Sequence, residues 1–278
     1  MSISVNTNLF SMNAQRNLNS SQSSLATSMQ RLSSGLRINS AADDSAGLSI
    51  SQRMSAQVRG MNVAIRNAND GISLAQTADG ALASVGDSLQ RMRELAVQSR
   101  NSTNTDSDKE SLNLEFSQLS SEISRVLGGT TFNGKAILAT ATTLNFQVGA
   151  NVTTNDSIDI TTTNLTADAK ITTVTGATIG SASDATAIAT VITDIDTALD
   201  DINSQRATFG ASQNRFSAVV SNLQSSVENQ SAAASRITDA DFASETANMS
   251  RAQILQQAGT AMVAQANQLP QSVLKLLQ

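Results

Sequence analysis

The side chains able to do covalent chemistry are few in kind. The 278-residue chain has 23 Asp and Glu, 18 Lys and Arg, and no His or Cys. Without His there is no ordinary general base near neutral pH and no imidazole metal ligand. Ser-His-Asp and Cys-His catalysis are excluded, and so are disulfides and thiolate metal sites. Carboxylate and Ser-Lys chemistry remain, but neither forms a recognisable constellation. Two pairs of acids stand close together, Asp43 with Asp44 and Asp239 with Asp241. Their spacing suits a cation, yet both pairs fall at junctions between helical patterns, where an acid caps the next helix. Capping is the simpler reading. The expectation is no enzyme, no metal and no cofactor.

One further polar cluster lies in LQRMRELAVQ, residues 89–98. On a helix, Gln90, Arg91, Glu94 and Gln98 read as a solvated face around a partly buried Leu95. The composition sets its scaffold: the chain is 40% hydrophobic but only 3% aromatic, with a single Pro. Leu, Ile, Val, Met and Ala suit narrow helix seams, and one Pro leaves long helices uninterrupted. A net charge of −5 with no basic patch argues against nucleic acid or an anionic membrane as partner. The N-terminus has no basic stretch followed by an apolar run, and no run approaches a membrane span. The expectation is a soluble protein. If it leaves the cell, it uses a route that reads no such signal.

Residues 1–35 read as an extended tip and a helix with Leu18, Leu25, Met29, Leu32 and Leu36 at coiled-coil spacing. Its exterior is Asn, Ser and Gln, with Arg16 the only charge in the first thirty residues. Residues 45–99 form one long helix of roughly 80 Å, whose four-and-three apolar steps contract to three-and-three at Ala78. Gly60, Gly71, Gly80 and Gly86 each cost it about 1 kcal/mol against Ala, so close packing must offset them. A second helix over 109–127 ends at Gly128 and Gly129. LNFQVG (144–149) and SIDITT (157–162) alternate as a β-hairpin. Residues 163–184 read as a strand-and-turn region or an exposed loop. Residues 185–237 hold a strict heptad alternation from Ile188 to Ile237, broken only by polar Arg206, Gln213 and Gln230, which fix register. A last helix carries Leu255, Gly259, Met262, Ala266, Leu269, Val273 and Leu276. From Ala252 to Gln278 its only charge is Lys275.

These readings give a mainly α fold: a long antiparallel coiled-coil or helical-bundle rod with a small β-hairpin region and paired N- and C-terminal helices. The expected domains are 1–42 with 240–278, then 43–140 with 185–239, then a surface region over 141–184. The stretch LSSGLRINSAADDSAGLSIS, residues 32–51, is the joint between a charge-poor helix pair and the charged long helices.

Long strings at both ends carry a resemblance. VNTN (5–8), residues 32–51, RNANDGISLAQTADGAL (66–82) and MRELAVQSRNSTN (92–104) resemble bacterial flagellin. So do QNRF (213–216), SRITDADFASETANMSRAQIL (235–255) and QQAGTAMVAQANQ (256–268). The short middle is similar to flagellins without large outer domains. The resemblance implies a filament subunit exported unfolded through a flagellar type III channel and polymerised at the distal end under a cap. It implies a secreted, extracellular protein whose partners are identical subunits, the filament cap and an export chaperone on the C-terminal helix. Inner-tube packing would fall to Leu18, Leu25, Met29, Leu32, Leu255, Met262, Leu269, Val273 and Leu276. Gly35, Asn39, Asp43, Asp44 and Gly47 would belong to the spoke between inner and outer tubes. Recognition by Toll-like receptor 5 would use Gln90, Arg91, Glu94, Leu95, Gln98 and Glu115.

Three alternatives stand beside it. Ala/Ser/Gln-rich heptads also occur in soluble coiled-coil scaffold or signalling modules, which form discrete oligomers. The hook–filament junction protein shares the terminal pattern. An enzymatic flagellin with an inserted peptidase needs an HExxH-like motif, which a chain without His does not have.

Overall fold

The computed structural model describes residues 7–276, and side chains as far as Gln268. In chain order the elements are α1 (Leu9–Ser34), α2 (Ser45–Ser99), α3 (Asp106–Gly129), β1 (Thr131–Phe132), β2 (Lys135–Ala136) and β3 (Thr142–Gln147). After a 3-10 turn come β4 (Ser157–Thr162), α4 (Ala169–Thr175), α5 (Ala185–Thr238) and α6 (Phe242–Leu276). Contacts divide the chain into two compact units, Met1–Ala56 with Asn229–Gln278, and Gln57–Glu228.

In the second unit α2 and α5 run antiparallel. Arg206 Nε donates to Asp79 Oδ1 at 2.8 Å, and Arg93 Nε donates to Asp196 Oδ1 at 2.6 Å. Rising numbers on one helix thus meet falling numbers on the other. Arg206, the charged interruption of the α5 stripe, finds its acid across the seam and pins the register. The stripe itself is buried at Ile188, Ile195, Ile202, Phe209, Phe216 and Leu223. On α2 the apolar row stays buried through its contraction, at Ala75, Ala78, Leu82 and Val85.

The glycines of α2 split into two kinds. A Cβ on Gly71 would stand 2.8 Å from Phe216 Cζ, and one on Gly60 3.0 Å from Ala150 Cβ, so both allow close approach. Gly80 and Gly86 have nothing within 4 Å of that position, so close packing does not account for them.

α3 closes the bundle. Thr105 and Asp108 form a capping box at its start, which lies three residues earlier than the sequence suggested. Its end departs from the glycine rule. Gly128 and Gly129 stay helical, because the Thr130 N–H and Oγ1 still donate to Val126 O at 3.1 and 2.6 Å. The left-handed glycine comes later, in the Asn133–Gly134 turn (φ 49° and 76°) that joins β1 to β2. β3 and β4 pair antiparallel with Leu144 opposite Ile160 and Phe146 opposite Ile158.

The 163–184 stretch is neither strand nor open loop. Asp168 caps α4, its carboxylate accepting from Lys170 N–H at 2.8 Å, and Ile171 and Val174 are buried one helical turn apart. Burial of that face outweighs the strand preference of ITTVT. The connection onward is tied down by groups the periodicity never marked. Buried Ser99 donates to Ile179 O and Ser120 to Thr175 O, each at 2.6 Å. Glu110 accepts from both the N–H and the hydroxyl of Ser181.

Candidate assembly and recognition surfaces

In the first unit α1 and α6 lie antiparallel, and what they bury is small. Asn8 caps α1 by accepting from Ser11 N–H at 3.1 Å, and its Nδ2 donates to Ala266 O at 2.7 Å. Ser11 Oγ donates to Asn267 Oδ1 at 2.8 Å. A Cβ on Gly259 would stand 3.2 Å from Leu18 Cδ1. Buried on these two helices are Ser11, Ser28, Glu245, Ala252 and Ala266. Ala252, Gly259 and Ala266 repeat at heptad spacing, a row of small residues that brings the two helices close.

The large apolar side chains turn the other way. Leu9 is 66% exposed, Phe10 57%, Met12 53%, Met29 56%, Ile254 65%, Leu255 51% and Met262 62%. Phe10, Leu255 and Met262 border an apolar groove of about 490 Å³ together with Ala258 and Gly259. Of the residues expected to pack the inner tube, Leu18, Leu25 and Leu32 are half-buried, whereas Met29, Leu255 and Met262 face solvent in the single chain. Leu269, Val273 and Leu276 lie outside the residues whose side chains are described. Isolated helices hide such side chains or lose solubility, so a face this rich in them waits for a cover.

The 35–47 joint belongs to the same unit and is tightly bonded. Gly35 ends α1 in the left-handed conformation (φ 71°), donating to Arg31 O at 2.8 Å. Arg37 N–H donates to Thr238 O, Arg37 Nη2 to Ile237 O, and Ala240 N–H to Gly35 O. Asp43 Oδ2 accepts from the N–H groups of Asn39 and Ser40 and from the Ser40 hydroxyl. Asp44 caps α2, accepting from Gly47 N–H at 2.9 Å, and a Cβ on Gly47 would stand 2.8 Å from the buried Ile38. Asp241 accepts from Ala243 N–H and the Ser244 hydroxyl, and Asp239 from Ser235. All four acids are spent on turns and caps, and among the described residues no group of three or more ligands is placed to hold a metal.

Those bonds depress two carboxyls. Hydrogen bonds from Ser40 hold Asp43 below its ordinary 3.8, and those from Ser244 and Ala243 do the same for Asp241. The sign follows from linkage. Their stabilisation is present above pH 3.8 and is lost as pH falls below it through the folded values. A carboxyl chemical-shift titration should give midpoints under 3.8 for both, and Ser40→Ala should return Asp43 toward it. Ordinary midpoints would show that these turns do not hold in solution.

On the second unit Arg91 bridges two helices. Its Nε donates to Glu115 Oε1 and its Nη1 to Glu94 Oε2, each at 2.8 Å. The Glu115 bond foremost raises the Arg91 pKa, so the guanidinium stays charged. Gln90, Glu94 and Gln98 are exposed beside it. Leu95 is not the half-buried centre that spacing suggested. It is 0% exposed, part of the inner α2 stripe, and the exposed apolar side chain beside this face is Val97, 51% exposed. Val97, Gln90, Arg93, Glu94 and Gln98 border an open hollow of about 510 Å³.

A mainly helical chain whose ends pair through small residues and turn large apolar ones outward is a subunit of a larger assembly. Sequence comparison says which. Residues 5–143 match the bacterial flagellin N-terminal helical region and residues 192–277 the bacterial flagellin C-terminal helical region. The chain is 47% identical over 274 residues to a flagellin of Halalkalibacterium halodurans, spanning 98% of this chain and 99% of that one. It is 42% identical over 303 residues to a flagellin of Bacillus subtilis, spanning 98% and 99%. The crystal structure of Bacillus cereus flagellin superposes with a TM-score of 0.50 at 35% identity, over 61% of this chain and 94% of that chain. The chain belongs to the bacterial flagellin family and is a structural subunit of the flagellar filament, a polymer of identical subunits.

Proposed function

We propose that the outward apolar face of α1 and α6 is the surface through which identical copies of this chain polymerise. The exposed Met29, Leu255 and Met262 pack there between subunits, and the half-buried Leu18, Leu25 and Leu32 complete the inner-tube packing. The exposure of Met29, Leu255 and Met262 in the single chain is the observation that carries the reading. Gly35, Asn39, Asp43, Asp44 and Gly47 form the spoke leading outward. The chain is secreted unfolded through the flagellar type III channel, with a chaperone on α6 beforehand, and adds at the distal tip beneath the cap. Its lack of Cys suits that passage. It has no catalytic role.

Covering a methionine contributes about 1.5–3 kcal/mol. Met262→Asn should therefore raise the critical concentration for assembly about tenfold or more, without changing the helix content of the dilute chain. Sedimentation of polymer against free chain measures it. An unchanged critical concentration would place the assembly surface elsewhere.

A second reading concerns the Arg91 bridge. Gln90, Arg91, Glu94, Gln98 and Glu115 form the face that Toll-like receptor 5 recognises, with Leu95 holding it from beneath. The exposed Val97 beside this ordered charge network supports it.

A further inference from the structure

Beside the apolar groove, α1 and α6 enclose a polar pocket of about 440 Å³, bordered by Ser24, Ser28, Arg31, Glu245, Asn248 and Arg251 among others. One of its groups lacks what burial demands, and a carboxylate beside it is left without a hydrogen bond among the described residues. Arg31 Nε is a buried donor with no hydrogen-bond partner. Glu245 is 8% exposed, yet its carboxylate stands 3.9 Å from Arg31 Nη1, beyond hydrogen-bond reach. An unmet buried donor costs about 1–3 kcal/mol, and more when charged. A pocket holding an unmet donor on one helix and an unbonded carboxylate on the other is an incomplete network.

The chemistry of the missing group follows from the pair. A carboxylate would accept from Arg31 and repel Glu245. An ammonium would pair with Glu245 and repel Arg31. A carboxamide accepts through its oxygen from Arg31 Nε and donates through its nitrogen to Glu245. The terminal helices are rich in such groups. Gln15, Gln22, Gln30, Gln253 and Gln257 are all exposed on them. On the reading that copies of this chain cover the α1–α6 surface, we infer that this pocket receives an Asn or Gln side chain from the terminal helices of a second copy. The contact complements the apolar groove: the groove supplies affinity, and the donor–acceptor match selects the angle at which the next copy seats.

The test uses the full chain. Arg31→Lys keeps the charge and removes the directed Nε donor. It should raise the critical concentration roughly tenfold while the dilute chain keeps its helix content, the equivalent of one charge-assisted hydrogen bond. Because the chain has no Cys, Ser24→Cys places a unique thiol at the pocket for a benzophenone maleimide. In polymer, irradiation should link it to an Asn- or Gln-bearing peptide of another copy's terminal helices. An Arg31→Lys chain that assembles like the parent would overturn the inference. So would adducts confined to the bearing chain. Failure of the parent chain to assemble at all is a different result, which removes the assembly reading itself.

Discussion

Deleting residues 1–40 or 252–278 should abolish filament formation and leave a soluble chain whose remaining long helices melt as before. The two halves of that result have separate causes. α1 buries only Ser11 and Ser28, and its partner α6 contributes Ala252 and Ala266. None of these carries the roughly 1.5–3 kcal/mol of a buried Leu or Met, and Ile38 in the joint is the one large buried side chain among the described residues that the first cut removes, so the pair gives the long-helix core little to lose. The principal core, by contrast, lies between Ala68 and Phe216, and the smaller cluster of Met61, Ala64 and Leu223 also survives both cuts. What the deletions remove is the outward row of Phe10, Met29, Leu255 and Met262, the face that identical copies need. Circular dichroism on heating reads the first half, and sedimentation with electron microscopy the second. Normal filaments from either deletion would sink the assembly reading. Collapse of the remaining helices would show that the ends contribute to the fold of the single chain.

Much of the fold was legible because the long helices repeat without interruption. α2 and α5 follow from heptads that continue past fifty residues, and Arg206 announces a register pair that Asp79 completes. The β3–β4 hairpin follows from alternation. α4 was not legible, since Ile171, Val174 and the threonines between Lys170 and Gly176 carry a strand preference that only burial overrides. Gly128 and Gly129 misled because a C-terminal glycine marks a stop only when the chain turns left-handed there. At the terminal helices periodicity found a row but could not choose between two. Leu255 and Met262 lie seven apart, and Ala252, Gly259 and Ala266 do too, three residues offset on the same helix. A close pair of helices takes the small row, which leaves the large one outside. Size complementarity, invisible to a hydrophobic pattern, decides which face meets the chain's own partner. The Arg31–Glu245 pocket was hidden for a related reason: a charge pair 214 positions apart leaves no local signature.

Phe216→Ala should destabilise the second unit by about 3–5 kcal/mol, the cost of removing a buried ring and leaving its cavity. Phe216 is 0% exposed, and its ring meets that of Phe146 edge to face, centroids 5.5 Å apart at 77°. That geometry adds about 0.5–1.5 kcal/mol beyond burial. On the other side the ring lies over Gly71, which makes the glycine's substitution a sensitive probe. Ala at an exposed helical glycine gains about 1 kcal/mol of helix propensity. At Gly71 the new methyl would stand 2.8 and 2.9 Å from ring atoms that Phe146 keeps from retreating. Overpacking of that kind costs about 1–3 kcal/mol. The clash with the ring outweighs the gain in propensity, so Gly71→Ala destabilises, whereas Gly80→Ala, with nothing within 4 Å, stabilises by about 1 kcal/mol. In a Phe216→Ala background the obstruction is gone, and Gly71→Ala should change sign. Denaturant unfolding of the four chains in that cycle measures the coupling. If Gly71→Ala stabilises the parent chain, the ring is free to move and the α2–α5 seam is looser than its burial implies.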